Sequence, residues 1–128
     1  MHEQDMAILK SLVAVAWVDG HFASEEREHL DALISAFGAT EDEAEAVRTY
    51  ASTPKGLPDI PLTELSADDR RTLLNHAVVL THIDGVQSDE EAKLVHDLWA
   101  YLRIPEAEAT QIISAAEARV KRLLASQA

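Results

Sequence analysis

The chain has 128 residues, 47% of them hydrophobic, which is enough for one domain with a proper core. Twenty-three acids against 11 bases give a formal charge of −12, a balance that disfavours nucleic acid and anionic membrane surfaces and suits cations or basic partners. With no cysteine, the chain has no disulfide, thiolate metal site or cysteine nucleophile.

Taken in chain order, the apolar residues recur every three to four positions. Met6, Leu9, Leu12, Val13, Ala16 and Trp17 mark one apolar stripe, predicting a first helix over residues 3–18 that stops at Gly20. Ser24 reads as the N-cap of a second helix, with Leu30, Leu33, Ile34 and Phe37 as its core face and Gly38 as its end. Thr40 and Glu43 form a capping-box pattern that opens a third helix through Ala44, Val47, Tyr50 and Ala51.

Three of the four prolines fall in residues 53–61, a density no helix survives. This stretch reads as a connector ordered by Leu57, Ile60 and Leu62, with a short helical turn over residues 62–65. Ser66 caps a fourth helix that runs to Ile83 and stops at Gly85. Ser88 with Glu91 repeats the capping box and opens a fifth helix on Leu94, Val95, Leu98, Trp99 and Leu102. Pro105 fits the first turn of a last helix on Ala109, Ile112, Ile113, Ala116, Val120 and Leu123, running to about Leu124. Tyr101 falls off the Leu98–Leu102 stripe and is expected at the surface.

The halves match without a gap at an offset of 65 residues. Val18-Asp19-Gly20-His21-Phe22-Ala23-Ser24-Glu25-Glu26 returns as Ile83-Asp84-Gly85-Val86-Gln87-Ser88-Asp89-Glu90-Glu91. Val13 falls on Val78, Leu33 on Leu98, Glu43 on Glu108 and Ala44 on Ala109. A fixed offset reads as an internal repeat. The expectation is an all-α single domain over residues 1–128, with six to seven helices. Repeat one covers about residues 5–52, the connector 53–65 and repeat two about 66–125. Two three-helix repeats paired about a pseudo-twofold axis would bury the faces each exposes alone.

Asp19 and Asp84 each close a helix, where the dipole disfavours a carboxylate. One reading makes them helix corners, with the carboxylate accepted by the N–H groups that open the next helix. The other brings Asp19, Glu26, Asp84 and Glu91 together, where their mutual repulsion calls for a cation. Oxygen ligands of this kind suit Mg²⁺, Ca²⁺ or Mn²⁺. Glu25 and Glu90 are alternates one residue out of phase. His21 or His82, if either joined, would move the choice towards Zn²⁺ or Fe²⁺. The EF-hand pattern fails, because Trp17 and Val18, or His82 and Ile83, stand where it needs oxygen ligands.

These paired turns resemble the TerB family, named for tellurite resistance and including the N-terminal domain of certain membrane-anchored DnaJ-type co-chaperones. The similar segments are residues 14–20 with Ser24-Glu25-Glu26, and residues 79–85 with Asp89-Glu90-Glu91. The likeness covers about residues 5–125. It implies an α-helical fold with internal pseudo-symmetry, a divalent-metal site in the acidic turns, and a stress-response or interaction role rather than an enzyme. The co-chaperone members also carry a membrane span and a J-domain, for which this chain has no corresponding segment.

No nucleophile constellation or glycine-rich phosphate loop points to catalysis, and the residues predict no catalytic site. The acidic start, Met1-His2-Glu3-Gln4-Asp5, is unlike a signal peptide, and no apolar run reaches the length of a span. The chain is expected in the cytoplasm, without direct membrane insertion or nucleic acid. It is expected as a monomer or homodimer with another protein as partner. The alternative function is an adaptor without metal, its acidic turns being structural corners.

Overall fold

The structure, a computed structural model, describes residues 3–17, 24–82 and 87–126, with residues 24–26 described through their backbone alone. Six α-helices follow in order: α1 (Glu3–Ala16), α2 (Ser24–Ala36), α3 (Glu41–Tyr50), α4 (Ala67–His82), α5 (Asp89–Tyr101) and α6 (Glu106–Ser126). The connector between α3 and α4 holds two single 3₁₀ turns, Leu57–Asp59 and Leu62–Glu64. Among the described residues there is no strand, so the all-α expectation holds. The bounds of α2 and α5 coincide at the 65-residue offset.

Helices α1 and α4 pack on each other at the centre. Helices α2 and α3 lie on α1, while α5 and α6 lie on α4. This corrects the single stripe expected of the first helix. Ile8, Ser11, Ala14 and Val15 are buried as fully as Leu9, Leu12 and Val13, because neighbours cover α1 on all sides beyond its first turns. A helix covered on every side needs an apolar surface all round, and residues 11–16 supply it without a charge. Ser11 tolerates burial because its Oγ donates to the Ala7 carbonyl at 2.7 Å. Helix α4 is alike, with Leu73, Leu74, Ala77 and Val78 fully enclosed. Each large side chain so enclosed contributes about 1.5–3 kcal/mol of transfer free energy.

The connector packs down through Ile60 and Leu65, both buried. Arg70 ties it to the second half, since its guanidinium donates to the carbonyls of Leu62, Leu65 and Leu102 at 2.9, 3.2 and 3.2 Å. The bond to Leu102 also sets a cation at the negative end of α5.

The capping expectations are met at α3 and α5. Thr40 accepts from the Glu43 N–H while Glu43 accepts from the Thr40 N–H, and Ser88 and Glu91 do the same. Ser66 and Asp69 form the shorter version at α4. Ser24 is the first helical residue of α2 rather than the residue before it, matching Asp89 in α5. Pro105 precedes α6, and its carbonyl accepts from the Ala109 N–H. Two burial expectations are corrected. Leu123 is 44% exposed, because Val120 and Leu124 turn the apolar face of α6 one residue away from it. Tyr101 is half-buried against the core.

Candidate metal centre

The acidic turns join α1 to α2 and α4 to α5, and their flanks are fixed in different ways. At the end of α1 the Trp17 indole Nε1 donates to the Ala51 carbonyl at 3.0 Å, holding this end against the close of α3. The matching residue at the end of α4 is His82. Its Nε2 lies 3.4 Å from Oε2 of Glu117 on α6, a close contact not aligned as a hydrogen bond. The two contacts tie equivalent central helices to equivalent third helices with different chemistry.

Across the second turn, Thr81 Oγ1 donates to the Val78 carbonyl at 2.9 Å and accepts from Gln87 Nε2 at 2.9 Å. That bond stitches the last turn of α4 to the approach of α5. Ser88 then opens α5, whose first turn carries Asp89, Glu90 and Glu91 at the positive end of the helix dipole.

Asp19, Asp84 and His21 lie outside the described residues, as do the glycines at 20 and 85. Glu25 and Glu26 fall in the first turn of α2 by their backbone, and their side chains lie outside the description. Glu90 is exposed. Glu91 is half-buried, and its Oε1 accepts from the Ser88 N–H at 3.0 Å. Glu91 therefore has a helix-capping role beside the metal role expected of it. His82 is half-buried beside Glu117. Among the described residues, no three histidine, aspartate or glutamate side chains gather as a metal-ligand set. His82 thus closes α4, and Gln87, Ser88 and Glu91 lead into α5, on the two sides of the second turn.

Sequence reasoning missed Glu117. It stands 35 positions after His82, and no motif links them. It also missed a second pair, His29 on α2 and His76 on α4. Nε2 of His29 is enclosed without a hydrogen-bond partner among the described residues. His76 sets its ring edge against Phe37, with centroids 6.0 Å apart and planes at 79°. Desolvation lowers the pKa of both, and His76 is lowered further by His29 and Arg119. At the matching positions of the other half stand Leu94 and Ser11, both buried. At α3, the Thr40 N–H bond is the largest influence lowering the pKa of Glu43.

Comparisons with protein-family models, with curated proteins and with solved structures find no match to this chain.

Proposed function

We propose that this protein is a TerB-like, non-enzymatic helical module that holds a divalent cation between its two acidic turns in a stress-response role. The observation carrying this reading is the repeat itself. Asp-Gly followed by Glu-Glu recurs at one offset, between α1 and α2 and again between α4 and α5. Asp19, Glu26, Asp84 and Glu91 are the proposed ligands, with Mg²⁺, Ca²⁺ or Mn²⁺ as the cation. His82, two positions before Asp84 in the sequence, is the donor that would favour Zn²⁺ or Fe²⁺ instead. Bridging the turns would fix the angle between the halves and so the surface offered to a protein partner. No helix among the described residues is long and apolar enough to cross a membrane. A cytoplasmic setting is part of the proposal.

The test is thermal unfolding with EDTA and with each ion in turn, beside elemental analysis of the purified protein. A cation at about 100 times its Kd stabilises by roughly 2.7 kcal/mol. For a chain of this size that is a rise on the order of 10 °C. The rise should vanish in the Asp19→Asn, Asp84→Asn double variant. No rise with any ion, and no co-purified metal, would leave the metal-free adaptor, its turns serving as corners.

A further inference from the structure

Two histidines stand between α2 and the centre of the fold, and the acidic turns make no use of either. His29 on α2 has its Nε2 enclosed, without a hydrogen-bond partner among the described residues. His76 on α4 meets the ring of Phe37, the residue that follows α2, edge to face with 6.0 Å between centroids. Burial takes water from both rings, and a charge on His29 would oppose one on His76.

The described neighbours bring the pair no compensating anion. Arg119 of α6, which donates to Asn75 Oδ1 at 3.2 Å, sets a further positive charge near His76. Residues 11–16 of α1 carry no charge. On α2, Arg27, Glu28 and Asp31 are exposed, and Asp31 pairs with Arg48 of α3. The side chains of Glu25 and Glu26 lie outside the described residues. On α6, Glu108 pairs with Arg71 of α4 and Glu117 lies against His82, while Asp97 of α5 lies beside Lys93 and His96.

We propose that α2 is an acid-released cover: on protonation of His29 and His76 it lifts from α1 and α4 while the second half stays folded. The device is independent of any metal in the acidic turns. Helix α2 is the element able to leave. It rests mainly on α1, whereas α4 is held by α1, α5 and α6 together. Its described residues anchor it through Leu30 and Ile34, where α5 has Leu94, Val95 and Leu98. Elements with few buried apolar contacts open locally before the whole chain unfolds. One motion hydrates both rings, because His29 and Phe37 leave with α2. The neutral rings favour closure above about pH 6.5, and that preference is lost as pH falls. Between pH 7.5 and 5.5 each histidine can raise the open population by up to about tenfold, and the two together by up to about a hundredfold.

The experiment is amide hydrogen exchange of the ¹⁵N-labelled protein at pH 7.5 and 5.5, in low concentrations of urea, each rate taken relative to the unstructured chain at the same pH. The amides of Leu30 and Ile34 should exchange through an opening whose population rises at least tenfold at pH 5.5 and barely responds to urea, since a local opening exposes little surface. Those of Leu73 and Leu98 should exchange only through an opening that responds steeply to urea. His29→Leu, which installs the apolar residue of the other half, should remove most of the rise at Leu30 and Ile34. Three results would each overturn the proposal: no rise at Leu30 and Ile34, a urea response there as steep as at Leu98, or an unchanged rise in His29→Leu.

Discussion

The two halves of this molecule have the same helices and different fittings. Helices α2 and α5 begin and end at matched positions, and both close in the same way. After α2, Gly38 takes φ +74° while its N–H and that of Ala39 donate to the carbonyls of Ser35 and Ile34. After α5, Arg103 takes φ 60° while its N–H and that of Ile104 donate to Ala100 and Trp99. This is a Schellman closure at both sites, built on glycine in one half and on arginine in the other. Backbone hydrogen bonding thus holds a shared corner where the side chain is not the favoured one. The third helices differ most. Helix α3 has 10 residues and α6 has 21, and the added length carries Val120 into the core. The second half is consequently more deeply packed. Leu98 is fully buried, while its match Leu33 is only half-buried.

That difference predicts unequal responses to matched substitutions. The largest effect is expected at Leu98. Leu98→Ala should cost about 2–5 kcal/mol in urea unfolding, as enclosed leucines do, and Leu33→Ala should cost clearly less. Equal losses would mean that the halves are equally packed. Next come the caps. Thr40→Ala removes the oxygen that accepts the Glu43 N–H and should cost about 1 kcal/mol. The matched Pro105 offers no side-chain oxygen, so Pro105→Ala should lack that capping loss.

The corner residues should move stability in opposite directions. A Cβ at Gly38 meets nothing within 4 Å, so Gly38→Ala isolates the backbone cost of the left-handed region, about 1 kcal/mol. Arg103→Gly should relieve the same strain and raise the midpoint, by up to about 1 kcal/mol or roughly 4 °C. A fall instead would show that the Arg103 side chain contributes more than the strain costs.

The last comparison concerns pH. His29 and His76 have folded pKa values below the ordinary 6.5, so the unfolded chain binds protons more readily than the folded one. The stability from keeping them neutral is present above about pH 6.5 and is lost as pH falls from there through the folded values. His29→Leu installs the residue of the other half. It should raise the thermal midpoint more at pH 5.5 than at pH 7.5. An equal effect at both pH values would assign the gain to packing alone.

Much of the fold was legible in the sequence because caps and apolar spacing are local. Thr40 with Glu43, Ser66 with Asp69 and Ser88 with Glu91 each announce a helix within four residues. The phase of α6 near Leu123 and the partial burial of Tyr101 were not legible, since they depend on which neighbour covers which face. The candidate site divides in the same way. Its acidic turns and their repetition are visible as words in the chain, and so is the capping bond of Glu91. The pairing of His82 with Glu117 is not, because α6 meets the end of α4 only after both have folded.

By itself, then, the sequence determined the helices, their caps and the doubled acidic motif, all set by interactions spanning a few residues. Tertiary structure decided that residues 11–16 of α1 and 77–81 of α4 would be enclosed on every side. It decided that His29 and His76 would lose water where Leu94 and Ser11 stand in the other half. It also decided that Arg48 would stand exposed beside Asp31 while its match Ile113 packs against the core. Desolvation and packing are set by neighbours distant in sequence, and only the assembled helices bring those neighbours into contact.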